Sequence, residues 1–154
     1  MASKKLTLNI QGMQQEFFED TALIGIASSM PAYRFCWLLN QSFGLNFWRE
    51  PDLDPCMRPA GGQRDGTREE EQSFSIYECL GECNTSRYLL YKLKVDTDSL
   101  LPEIGHIDYL WMIKSNTPEE DAEQFARCLR QLQEVQMAQI FPSSGLKSAA
   151  NLLL

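Results

Sequence analysis

Residues 101–114 read LPEIGHIDYLWMIK, and the second half of this stretch decides the fold. Taken as a strand, IDYLWMIK sets Ile107, Tyr109, Trp111 and Ile113 on one face and Asp108, Leu110, Met112 and Lys114 on the other. Both faces are apolar through the middle. A strand of that kind belongs at the centre of a sheet covered on both sides. The first half raises a separate question. Glu103, His106 and Asp108 lie within six residues around Gly105, which suits either a chemical site or a turn leading into the strand.

Outward from this strand the elements follow one another. TPEEDAEQFARCLRQLQ after it has Thr117 at the N-cap position, Pro118 first inside, and Glu120 where a capping box places an acid. Ala122, Phe125, Ala126, Leu129 and Leu132 make one apolar stripe, so this helix lies on one sheet face. VQMAQIF then reads as a last strand stopped by Pro142. Before the central strand, SFSIYECL and RYLLYKLKV read as a hairpin turned through GECNTS. From Pro31 to Phe43 the pattern is a helix apolar on nearly all sides and ended by Gly44, with LNFWRE resuming as a strand. TALIGIASSMP is ambiguous between strand and helical turn, and Lys5 to Ile10 alternate as a short strand. Residues 50–72, with three prolines, three glycines and a triple glutamate, read as a long mobile loop.

The expected architecture over 1–154 is a single α+β domain. It has a mostly antiparallel sheet with two main helices, in a ferredoxin-like or ACT-like arrangement with an extra hairpin. A strand–helix–strand unit at each end suggests parallel crossovers. Two helices on one face would leave Leu110 and Met112, or their opposite-face neighbours, poorly covered, so a homodimer is expected.

Composition narrows the function. The 154 residues are 44% hydrophobic and 23% charged, with a net charge of −7. Such a chain is globular, and its acidic surface argues against nucleic acid. No apolar run approaches membrane-span length and no signal segment opens the chain, which points to the cytoplasm and away from membranes. Five cysteines at irregular spacing fit reduced thiols. The single histidine, His106, makes an exposed turn residue a better reading than a metal ligand. No phosphate-binding glycine loop and no GxSxG occurs, and neither a metal nor a cofactor is expected.

Leu101-Pro102-Glu103, then three residues, then Ile107-Asp108-Tyr109 resembles the signature of the IPExxxVDY family of Bacteroidetes proteins. LIGIASSMPAYRFCWLLN (23–40) is similar to that family's LIGI-x-S block with its Tyr, Cys-Trp and Leu-Asn positions. LKSAANLLL is similar to its closing LKS-x-x-NL segment, with Ala149 and Ala150 where a charged pair is expected. The resemblance implies no activity, substrate or cofactor, since none is established for the family. It singles out Pro102, Glu103, Asp108 and Tyr109 as a signature or binding site.

A carboxylate at a buried strand start needs a partner, and Arg34 on the first helix is the candidate by type. The leading expectation is a structural clasp in a non-catalytic binding or interaction module, with an unknown protein or small-molecule partner. The alternative is a small enzyme using Glu103 and Asp108 as acid and base on a polar molecule. A deep pocket holding both carboxylates favours the enzyme, and a flat apolar sheet face favours the module.

Overall fold

The computed structural model describes residues 12, 14–57, 72–81 and 85–153. The expected strand at Lys5 to Ile10, residues 58–71 of the expected loop, and residues 82–84 of the hairpin turn lie outside them.

IDYLWMIK forms the strand from Tyr109 to Lys114, here β9, as its pattern requires. It is buried on both faces. Trp111 and Ile113 face one apolar cluster, and Leu110 and Met112 face a second. Its neighbours are β1 (Thr21–Ala27) on one side and β6 (Arg87–Lys92) on the other, both antiparallel. The ambiguous TALIGIA segment is therefore a strand. Gly25 suits it because a Cβ there would stand 2.4 Å from the Phe141 ring. β6 pairs with β5 (Ile76–Leu80) as the expected hairpin. β2 (Trp48–Arg49) edges β5, and β10 (Met137–Phe141) edges β1. The sheet order is β10-β1-β9-β6-β5-β2.

The class is α+β with a mostly antiparallel sheet. The two strand–helix–strand units differ from simple parallel neighbours. β9 and β10 both run antiparallel to β1, so they are parallel to each other with β1 between them. β1 and β2 are likewise parallel, but β9, β6 and β5 separate them. LNFWRE makes only a two-residue strand. The Asn40 side chain accepts from the Phe47 N–H at 2.7 Å and donates to its carbonyl at 3.1 Å, so an amide takes the place of a neighbouring strand.

Both main helices, α1 (Ala32–Phe43) and α2 (Pro118–Leu129), pack on the Trp111 face. Gly44 ends α1 at φ 65, in the left-handed conformation that glycine adopts without steric cost. Thr117 is the N-cap of α2, but the expected capping box through Glu120 does not form. Asp121 instead accepts from the Ser115 hydroxyl at 2.6 Å and from the Thr117 hydroxyl at 3.3 Å.

The opposite face is covered by the chain itself. The segment from Leu93 to Ile107 contributes Leu93, Leu100, Leu101, Ile104 and Ile107, and the closing segment adds Leu146, Ala149 and Leu152. Leu110 and Met112 are consequently buried, at 0% and 2% exposure, and the exposed face on which the homodimer expectation rested is absent. Both flanks of the expected 50–72 loop carry hydrogen-bonded structure. β3 (Cys56–Met57) pairs with β4 (Gln72–Ser73), while Asp54 accepts from the Ile76 N–H at 3.0 Å and pairs with Arg49. A small hairpin, β7 (Lys94–Val95) with β8 (Asp98–Ser99), completes the strands.

Candidate functional site

LPEIGHID connects the β7–β8 hairpin to β9, and its residues go to different places. Pro102 opens a single 3-10 turn, Pro102–Ile104, whose Ile104 faces the second core. Glu103 is exposed and accepts the Ser148 N–H at 2.7 Å, tying the closing segment to this turn. Slight burial pushes its pKa up. Hydrogen bonds from Ser148 and from its own backbone, with the charge of Lys147, bring it net below the usual carboxylate value. His106 is exposed on the turn.

Asp108 lies just before β9, and its two oxygens are both engaged. Oδ2 accepts the Ser28 N–H at 2.9 Å, and Oδ1 meets Lys94 Nζ at 3.2 Å. The expected partner Arg34 is not there. It is exposed in the first turn of α1, and Lys94 supplies the cation from β7, which lies across the turn from Asp108. Ser28 is a junction in its own right: 3% exposed, it donates its hydroxyl to the Glu134 carbonyl at 2.7 Å and accepts the Met30 N–H at 3.3 Å. Tyr109 donates to the Met30 carbonyl at 2.5 Å and stacks on Phe35 at 4.5 Å. Burial, and then the neighbouring Asp108, push its phenol pKa up, so it remains a neutral donor.

These contacts wall a cavity of about 270 Å³ where the end of β1, the start of α1, the end of β6 and the start of β9 meet. Ser28, Ser29, Met30, Lys92, Lys94, Asp108 and Tyr109 line it, together with Pro31. Of the residues singled out from sequence, the fold brings Asp108 and Tyr109 to this cavity and leaves Pro102, Glu103 and Arg34 outside its walls. Sequence reasoning missed Ser28, Ser29, Lys92 and Lys94. The one signal was the alternation of Lys92 and Lys94 about Leu93, which turns two like charges to one side as the strand leaves the sheet.

A second, acidic cavity of about 330 Å³ lies at the other end of β1, where Glu16, Glu19 and Asp20 face Lys114. Among the described residues no group of three or more His, Cys, Asp or Glu is gathered as a metal would need. Also among them, no helix is long and apolar enough to cross a membrane. The chain matches no protein-family model and no curated protein, and no solved structure matches it.

Proposed function

We propose that this protein is a non-catalytic binding module that takes a small molecule in the cavity between Ser28 and Tyr109. One observation carries the reading: polar groups from the β1–α1 connection, β6, β7 and the start of β9 converge on that cavity, where hydrogen bonds fix Ser28, Asp108 and Tyr109. Sites of this kind orient a ligand with few, fixed polar groups. The enzyme alternative needs Glu103 and Asp108 around one substrate. It draws no support here, since Glu103 holds the closing segment and does not line the cavity.

We further propose membership of the IPExxxVDY family and a cytoplasmic location. The three stretches that resemble the family are joined by Asp108 to Ser28 and by Glu103 to Ser148, which supports reading them as one unit. The order β10-β1-β9-β6 with both helices on one face supports a ferredoxin-like arrangement, widened by β5 and β2.

Amide NMR against a library of small polar compounds tests the function. Ligand-induced shifts should concentrate at Ser28–Met30, Lys92–Lys94 and Asp108–Tyr109. Shifts confined to the neighbourhood of Glu103, or none with any compound, would refute the site.

A further inference from the structure

We infer that the ligand of this cavity is a small oxyanion, a carboxylate or a phosphate ester carrying a short apolar body. The inference rests on the binding reading above and adds the chemistry of what is bound. The cavity is rich in donors and poor in acceptors. Asp108 is its one acid, and both of its oxygens are already occupied, by the Ser28 N–H and by Lys94. The two lysines differ. Lys94 spends one ammonium direction on Asp108, whereas Lys92 Nζ has no hydrogen-bond or ion-pair partner among the described residues. The Ser29 hydroxyl is exposed and equally uncommitted. The Tyr109 hydroxyl is committed to the Met30 carbonyl, leaving this side chain to offer mainly its ring.

Two ammonium groups against one neutralised carboxylate leave a local positive charge on a chain whose net charge is −7. Oxyanions answer such a site because they are acceptor-only and make the stronger, charge-assisted hydrogen bonds. Met30, Pro31 and the Tyr109 ring are the apolar portion of the wall, which gives a short hydrocarbon body a place to lie. At about 270 Å³ the space is at the small end of ligand sites, so the molecule is a metabolite-sized anion and not a nucleotide.

Four probes of matched size and different charge test this by amide NMR titration of the whole chain: butyrate, butyl phosphate, butylamine and butanol. Butyrate, butyl phosphate or both should shift the Ser28–Met30 and Lys92–Lys94 amides, less so in 0.5 M NaCl. Lys92→Gln should weaken that binding about tenfold or more, and Lys92→Arg should restore most of it. The ratio between the two anions tells the carboxylate from the phosphate source. Butanol or butylamine binding there as well as the anions would overturn the oxyanion and leave the binding site standing. Silence of all four probes at these amides would overturn both. Anion shifts that appear elsewhere, or that survive Lys92→Gln unchanged, would overturn the assignment of Lys92 and with it the inference.

Discussion

Replacing Asp108 with alanine tests how the signature works. Two interactions disappear. The first is the Ser28 N–H bond at 2.9 Å, whose donor belongs to a residue 3% exposed. Leaving a buried N–H without an acceptor costs about 1–3 kcal/mol. The second is the pair with Lys94, whose side chains are 38% and 32% exposed, so water screens it to below about 1 kcal/mol. The adjoining cavity admits water, which can replace the lost acceptor and pull the cost towards the lower end. Asp108→Ala should therefore lose about 1–3 kcal/mol in urea unfolding, or roughly 2–10 °C in Tm for a domain of this size. Asp108→Asn keeps an oxygen for Ser28 and loses only the charge, so it should lose less than about 1 kcal/mol. An alanine variant that melts with the wild type would refute the clasp. An asparagine variant falling as far as alanine would show that charge, not the backbone acceptor, carries the effect.

Trp111 is fully buried between Phe125 at 4.5 Å and the rings of Phe43, Phe47 and Tyr88, and its Nε1 has no hydrogen-bond partner among the described residues. Trp111→Ala should cost about 3–5 kcal/mol in urea unfolding, and Trp111→Phe much less, because it also removes the unpaired N–H. Glu103 has a lowered pKa in the folded chain, so its contribution is complete above the ordinary carboxylate value and fades as pH falls through the lowered one. The melting difference between wild type and Glu103→Gln should accordingly be present at pH 7 and vanish in strong acid, and a difference independent of pH would count against the Ser148 bond. Burial and then the neighbouring Cys79 push the Cys36 thiol up to about 11, and burial also raises Cys79, whereas Cys128 is exposed. Mapped alkylation of the native protein should therefore modify Cys128 well before Cys36 or Cys79. Removing the chain beyond Phe141 would uncover the face that Leu146, Ala149 and Leu152 now close, so light scattering should show more association than for the full chain.

Periodicity made the sheet readable wherever burial imposes it. β9, the β5–β6 hairpin and α2 follow from where their apolar residues recur, whereas α1, apolar on nearly all sides and so expected to be buried on more than one, buries Ala32, Phe35, Cys36 and Leu39 and leaves Tyr33 and Trp37 exposed. What covers the second face was not readable in that way. Leu93 to Ile107 and Leu146 to Leu152 are irregular or 3-10 in conformation for much of their length, and such segments bury side chains without any period. The poorly covered second face, the premise of the homodimer expectation, arose from that blindness. Similarly, Asp108 could be recognised as needing a partner, but the choice between Arg34 and Lys94 depends on which strand ends lie together. Only the sheet order brings the end of β6 beside the start of β9, with Lys92 opposite Tyr109. The cavity comes from four elements far apart in sequence, so no local spacing could announce it.

The segment between β6 and β9 ties together stretches distant in the chain. Its Asp108 holds Ser28, 80 positions earlier, and its Glu103 holds Ser148, 45 positions later. Tyr109 holds Met30, and the Leu100 carbonyl accepts the Asn151 amide at 2.9 Å. Each of these bonds fixes backbone that the sheet ladder does not reach. Ser28 follows the last residue of β1, and Ser148 follows the last strand altogether. The carboxylates thus act where regular hydrogen bonding stops, which is where a chain otherwise frays. Ser28 and Asp108 also form part of the cavity wall. Order at the strand ends and order in the binding wall are therefore one property, and a ligand that bridges Lys92 and Ser29 would strengthen the same junction that Asp108 closes.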